Sequence, residues 1–263
     1  MKTSSSALIL LILIWFVAAR ANAQTGFQNL NFESGTLVPI PNDQYERVYA
    51  DLALPHWTVY SGANRVDAVL NDAAFIGSTG ISIVDSSWRG VLSGDPVGAI
   101  EGSFSVLLQA GTELGTSTQP ADLTLTQTGL VPPGARSIWF LGHAAGAPSS
   151  LNPLFAVSLG GVNLDLTSIP GGPDSTTLYG ADISPFAGQA GALSLTLFSP
   201  LPHGEAYLYL DAIRFSPDPV PEPGALLLIG LGLMGIAWSR HVSHSRRRKS
   251  EKAPGGNGVM AKK

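Results

Sequence analysis

Between residues 24 and 218 apolar side chains recur at every second position, and that period settles the fold class ahead of any other feature. The alternation runs through Ser103–Leu107, Asp122–Thr126, Phe155–Leu159, Val162–Leu166, Leu193–Leu197 and Tyr207–Phe215. Ser137–Leu141 is instead a short apolar run, as expected of a central strand covered on both faces. Turn signals separate these runs at Val131–Gly134, Gly160-Gly161 and Ile169–Pro173, and the glycine pair predicts a hairpin. Helical periodicity lasts no more than a turn or two here. About a dozen short strands in one such stretch predict a single all-β domain, an antiparallel β-sandwich with no internal repeat.

The two ends follow different rules. Lys2 precedes an unbroken apolar run from Ala7 to Ala19, and Ala21-Asn22-Ala23 supplies the small-x-small pattern read by signal peptidase. A 13-residue run rises only about 20 Å as a helix, too short for a hydrocarbon core of roughly 30 Å. Residues 1–23 therefore read as a signal peptide, with Gln24 as the first mature residue. At the other end Gly224–Ser239 carries no charge, and Arg240 and the cluster Arg246, Arg247, Arg248 and Lys249 follow it. That arrangement predicts a transmembrane helix over 224–239 with its basic flank in the cytoplasm and the body outside. Arg240 and Trp238 lie where snorkelling and interfacial anchoring make up the missing length. Residues 250–263 are polar and Gly-containing and read as a disordered cytoplasmic tail.

Charge separates the same zones. The body from 24 to 219 has five Arg, no Lys and 17 acids, a net of −12, whereas 220–263 has eight basic groups against two acids, a net of +6. Nothing in the body can neutralise phosphates, which argues against a nucleic-acid partner. The chain has no cysteine, so disulfides, zinc thiolates, iron–sulfur clusters and thiol catalysis are excluded together. Gly230-Leu231-Gly232-Leu233-Met234-Gly235 spells a dinucleotide fingerprint but lacks its preceding strand and its later acid. Glycine there fits a membrane helix instead.

Pro221-Glu222-Pro223, then a hydrophobic span, then an arginine cluster resembles the PEP-CTERM sorting signal of exported Gram-negative proteins. The resemblance implies processing by exosortase, a membrane transpeptidase-like enzyme that cuts at or near the motif, and a final place at the cell surface or in extracellular polymer. Each proline fixes its own φ and disfavours helix before it, so the segment stays extended and accessible, and Glu222 offers a single carboxylate. The 14 residues after Lys249 depart from the family, which usually ends soon after its arginines.

Within the body, the opening Asn29–Glu33, the Pro55-His56-Trp57 element and the closing Leu210–Phe215 resemble the galactose-binding-like jelly roll of carbohydrate-binding modules. Ala181–Gly188 resembles an element recurrent in such domains beside sorting signals. The resemblance implies that first and last strands pair, bringing Glu33 and Asp211 together, where two carboxylates suit a structural Ca²⁺; solvated strand-end acids are the alternative. Trp57, Tyr60 and Trp88 are candidate sugar contacts if exposed, whereas Trp139 belongs to the core.

Catalytic signatures are missing. His56, His143 and His203 form no HExxH and no ligand pair, and there is no G-x-S-x-G elbow. The expectation is an exported, surface-sorted, non-enzymatic protein with no cofactor beyond that Ca²⁺. Its expected partners are signal peptidase, exosortase and extracellular polysaccharide. A glycan-binding module and an extracellular glycoside hydrolase or lyase are the rival readings.

Overall fold

The structure, a computed structural model, describes residues 25–221 apart from 76, 113–119, 147–152, 171, 173–175 and 201–204. The expected signal peptide with Ala21 and Ala23, His203, the 224–239 span and its basic flank lie outside the described residues. No helix among the described residues is long and apolar enough to cross a membrane.

Strands dominate, in two sheets. In chain order they are β1 (Val48–Tyr49), β2 (Thr58–Ser61), β3 (Asn64–Val66), β4 (Ala68–Asn71), β5 (Gly80–Val84), β6 (Ser105–Thr112) and β7 (Pro120–Ala121). There follow β8 (Leu123–Leu130), β9 (Ser137–Gly146), β10 (Phe155–Leu159), β11 (Val162–Asn163), β12 (Thr167–Pro170), β13 (Thr177–Asp182), β14 (Ala190–Leu197) and β15 (Ala206–Ser216). A one-turn helix, α1 (Ala50–Ala53), follows β1 directly. The large sheet has the order β1-β4-β5-β6-β15-β9-β13-β12, with β7 paired to β6; the small sheet runs β11-β10-β14-β8-β2-β3. All pairings between these strands are antiparallel except β4 with β5.

The inner faces of both sheets supply one core. Leu123 and Leu125 on β8, Leu193, Leu195 and Leu197 on β14 and Val157 and Leu159 on β10 are buried from the small sheet. Ile81 and Ile83, Val106 and Leu108, Leu208 and Leu210, and Ile138 and Phe140 meet them from the large one. Each such apolar side chain contributes about 1.5–3 kcal/mol of burial, so this interface is the main source of stability. Gln127 is the polar exception on β8, and its amide is matched to the chain: it accepts from Gln28 N at 2.6 Å and donates to Gln28 O at 2.8 Å.

Each alternating run overlaps a strand, Val162–Leu166 for its first two residues alone, and the apolar Ser137–Leu141 lies in β9, flanked by β15 and β13. Gly160 and Gly161, both at positive φ, join β10 to β11 as a two-residue hairpin. Two expectations change. The strand after that hairpin is short, β11 ending at Asn163; Leu164 N still bonds to Val157 O at 2.8 Å, and Leu164 and Leu166 then pack toward the core. Ile169-Pro170, expected in a turn, ends β12, an edge strand on which a proline removes no ladder bond. The opening segment is not a strand either. Asn29 and Phe32 take positive φ, and the segment reaches the last strand through one backbone bond, Ile213 N to Leu30 O at 3.0 Å.

Candidate functional site

Glu33 and Asp211 grip the same stretch of chain, each through its own hydrogen bonds. Glu33 Oε1 accepts from Ser103 N at 2.8 Å and Phe104 N at 2.9 Å. Asp211 is fully buried; its Oδ2 accepts from Glu101 N at 2.9 Å and Ser105 Oγ at 2.7 Å, and its Oδ1 from Ala212 N at 2.6 Å. Gly102, at φ +66°, runs so close to Glu33 that a side chain would collide with the carboxylate. Burial pushes the Asp211 carboxyl up to about 6, against the pull of those three donors. The two acids thus act as a clasp on 101–105. Among the described residues no three acids or histidines gather as a metal cluster would need. The Ca²⁺ expectation rests on these two carboxylates alone.

Trp57, Trp88 and Trp139 lack the open face that sugar stacking requires. Trp57 is 3% exposed, packs on Phe32 at 5.7 Å between ring centres, and donates from Nε1 to Asn29 O. Trp88, 6% exposed, lies in a second apolar cluster with Val84, Ile100, Leu107, Tyr207 and Tyr209 on the outside of the large sheet. Trp139 is buried, its ring spread over Gly180 on the neighbouring strand and its Nε1 bonded to Ser137 Oγ. Tyr60 is half-buried on β2, opposite Arg65.

Polar groups sit beneath the loop that carries Trp88. Asp95 accepts from Tyr209 Oη at 2.8 Å, Val91 N at 3.0 Å and Leu92 N at 2.8 Å, and its Oδ1 lies 3.5 Å from His143 Nε2. Burial and the adjacent Asp95 carboxylate raise the Tyr209 hydroxyl well above its ordinary range. Asp95 therefore stitches the loop to β15. The paired acid and imidazole resemble catalytic parts, yet each donor to Asp95 is a fixed protein group.

A cleft of about 350 Å³ opens on the side of the sandwich where β1 and β4 face β3. Its floor is apolar, from Leu70, Ile81 and Leu123, and its rim bears Arg47, Arg65 and Asp67. Phe75 forms one wall. Gln109 holds that residue by its backbone, accepting from Phe75 N at 3.1 Å and donating to Phe75 O at 3.3 Å. The ring lies over Gly80, where a methyl group would sit 3.2 Å from Phe75 Cδ2. Tyr45 meets Phe75 edge to face at 5.0 Å, and the Arg47 guanidinium stands 5.6 Å from the Tyr45 ring centre. Arg47 is forked onto Asp43, whose carboxyl it holds down at about 2. Arg65 pairs with Asp51 at 2.6 Å and Asp67 at 3.1 Å. Inside the cleft the Ser61 hydroxyl is buried without a hydrogen-bond partner.

None of these residues was singled out by sequence reasoning except through the neighbouring Tyr60. Tyr45 and Phe75 lie 30 positions apart in a stretch without clean alternation, and Gln109, which holds the Phe75 backbone, is a further 34 positions on. The one usable signal was an aromatic beside a charge pair, Asp43-Gln44-Tyr45-Glu46-Arg47.

At the C-terminal end the strand ladder runs to Ser216, and Ser137 Oγ donates to Asp218 O at 2.6 Å. Pro221 is described; Glu222, Pro223 and the basic residues Arg240, Arg246, Arg247, Arg248 and Lys249 are not. No curated protein matches the chain. Among solved structures, that of TmCBM61 in complex with beta-1,4-galactotriose is similar at 13% identity with a TM-score of 0.36, covering 74% of this chain and 99% of that one. Residues 219–240 carry the PEP-CTERM protein-sorting motif.

Proposed function

We propose that this chain is the precursor of an exported, surface-sorted and non-enzymatic β-sandwich of jelly-roll type. Signal peptidase cuts after Ala23, the 224–239 span holds the precursor in the membrane with Arg240–Lys249 inside, and exosortase processes it at Pro221-Glu222-Pro223. The sandwich then serves at the cell surface or in extracellular polymer. The observation that carries this reading is the position of the motif. The sandwich is tied down as far as Asp218, the motif begins at 219, and the chain divides between Val220 and Pro221. A cut at the motif would spare every strand. The non-catalytic part draws support from Asp95 and His143, which are engaged in holding a loop.

The test replaces Pro221→Ala, Glu222→Gln and Pro223→Ala together in a cell that contains exosortase. Hydrophobic length and basic flank remain, so insertion is unchanged. Uncut protein should accumulate in the membrane fraction. Release of the triple variant at the wild-type level would reduce the segment to a plain anchor.

A further inference from the structure

We infer that the fold builds a self-cleaving peptide bond at Asp218-Pro219, through which the sandwich separates from its sorting segment in acid without a peptidase. Aspartyl–prolyl bonds are the weakest peptide links in acid. The Asp carboxyl can close a five-membered ring onto its own main-chain carbonyl, and the proline nitrogen, which carries no N–H in the chain, leaves as a secondary amine. The chain contains two such bonds, Asp95-Pro96 and Asp218-Pro219. Their surroundings are opposite. Asp95 and Pro96 are both buried, and the Asp95 carboxylate accepts from Tyr209 Oη, Val91 N and Leu92 N. Those donors hold the carboxylate where it is, and burial keeps water from the bond. Asp218 and Pro219 are exposed. Asp218 makes its hydrogen bonds through backbone atoms, which leaves its side chain to the solvent and to its own carbonyl.

The carbonyl under attack is already polarised. Ser137 Oγ donates to Asp218 O at 2.6 Å, and Trp139 Nε1 donates to Ser137 Oγ at 2.7 Å. The indole takes up a lone pair of the fully buried hydroxyl and steers its hydrogen to the carbonyl, and each bond in such a chain strengthens the next. Negative charge collects on that carbonyl oxygen as the ring closes, so the Ser137 hydroxyl stands where an oxyanion donor is needed. The chain is also fixed on the other side of the carbonyl. Asp218 N donates to Ser216 Oγ at 3.0 Å, and Ser216 O accepts from Arg136 N at 2.8 Å. Holding the backbone removes part of the entropy cost of ring closure. In the step itself a carboxyl oxygen of Asp218 bonds to the carbonyl carbon, the C–N bond to Pro219 breaks, and the carboxyl proton passes to the proline nitrogen. Water then opens the cyclic anhydride, restoring the Asp218 side chain and leaving a new C-terminal carboxyl. The proton comes from the carboxylic acid form, which places the reaction in acid. The cut falls at the start of the 219–240 motif and leaves every strand with the body.

The test uses the full-length protein, made in a cell without exosortase and purified in detergent. It is held at the lowest pH at which tryptophan fluorescence still reports the folded state, and in denaturing urea at the same pH. Intact mass spectrometry follows the two bonds side by side. In the folded protein a fragment ending at Asp218 and one beginning at Pro219 should appear, at least about tenfold faster than the pair from Asp95-Pro96. In urea the two bonds should break at similar rates. Asp218→Glu, which would need a six-membered ring and disturbs no side-chain bond, should abolish the cut. Ser137→Ala should slow it about tenfold in the folded protein and leave the rate in urea unchanged. Folded protein that is cut at Asp218-Pro219 no faster than unfolded protein overturns the proposal. So does a cut that survives Asp218→Glu, which would reveal a contaminating protease, or equal cutting at both bonds in the folded state. No exosortase is present and the sorting variant keeps Asp218 and Pro219, so this inference and the sorting reading fail separately.

Discussion

The outer faces of the two sheets are built on the same alternation and end in opposite environments. On the small sheet, β8 alternates strictly: Leu123 and Leu125 point inward, while Thr124, Thr126 and Thr128 stay at least partly exposed. The neighbouring β14 repeats the scheme with Ser194 and Thr196 outside. On the large sheet, β15 is buried on both faces from Ala206 to Ala212. Its inward Leu208 and Leu210 belong to the main core, whereas Tyr207 and Tyr209 belong to a second cluster roofed by Trp88 and Ile100. One sheet face is finished with hydroxyls and water, the other with a loop and a second core. The lesson is that outward side-chain size marks coverage: threonine and serine close a face, tyrosine requires a roof.

The loop over the large sheet is held by acids, and this gives the contrast its energetic content. Asp95 ties residues 91 and 92 to Tyr209, and Asp211 ties 101 and 105 to β15. A buried carboxylate that accepts several donors is strongly position-dependent, since its loss strands those donors at about 1–3 kcal/mol each. Among the described residues the small sheet carries no comparable group on its outside. Its outward hydrogen bonds are hydroxyl pairs such as Thr124 with Thr196 at 3.0 Å and Thr126 with Ser194 at 2.8 Å.

The largest expected effect tests whether the roofed face is a true core. Tyr209→Ala removes a fully buried ring and the hydroxyl that donates to Asp95. It should destabilise the protein by about 4 kcal/mol, read as a lower urea midpoint. A loss under about 1 kcal/mol would mean that the loop collapses freely and that the two faces do not differ as described.

A smaller effect concerns the acid inside that face. The Asp211 carboxyl is raised in the folded state to about 6, from an ordinary value of 3.8. Below the ordinary value both states hold the proton and burial carries no charge penalty. As pH rises toward about 6 the unfolded chain loses its proton first, so the folded state binds more protons and stability falls; above that range the loss is constant. The full loss is on the order of 3 kcal/mol. In Asp211→Asn this term vanishes, so the stability difference between variant and wild type should move in the variant's favour from about pH 4 to about pH 7. Parallel pH curves for the two proteins would show that Asp211 does not titrate in this window.

Legibility in the sequence follows the same division. The long strands β8, β14 and β15 announce themselves because one face is apolar over several repeats. The strands β1 to β5 do not, since they are two to five residues long and interleaved with Asn, Asp and Gly. Glu33 and Asp211 stand out in the sequence as strand-end acids, but the chain they grip, 101–105, has no local signature. Trp57 and Trp88 looked like possible contact residues because composition cannot tell a roofed aromatic from an open one. Tyr45 and Phe75 were invisible, since they are distant in sequence and Phe75 is held by a glutamine 34 residues beyond it. The sorting segment was readable outright, because a linear motif carries its information without a fold.

The smallest expected effect is the most direct check on the contrast. Thr126→Val keeps the shape and the β-branching of the side chain while deleting one hydroxyl from the small sheet. The hydroxyl donates to Leu193 O at 3.0 Å and pairs with Ser194, so the change is not empty. Two circumstances limit it. Thr126 and Ser194 are only part-buried, so water can reach the groups left behind, and the Leu193 carbonyl retains a second lone pair for solvent. Valine also favours a strand at least as well as threonine does. The net change in stability should stay within about 0.5 kcal/mol, as for surface positions generally, and Thr124→Val should behave alike. Urea unfolding of both single variants and the double variant measures it. A loss above about 1 kcal/mol in either single variant would make the hydroxyl ladder a structural network in its own right, and the small sheet's outer face would then be closed by mutual bonding instead of by water.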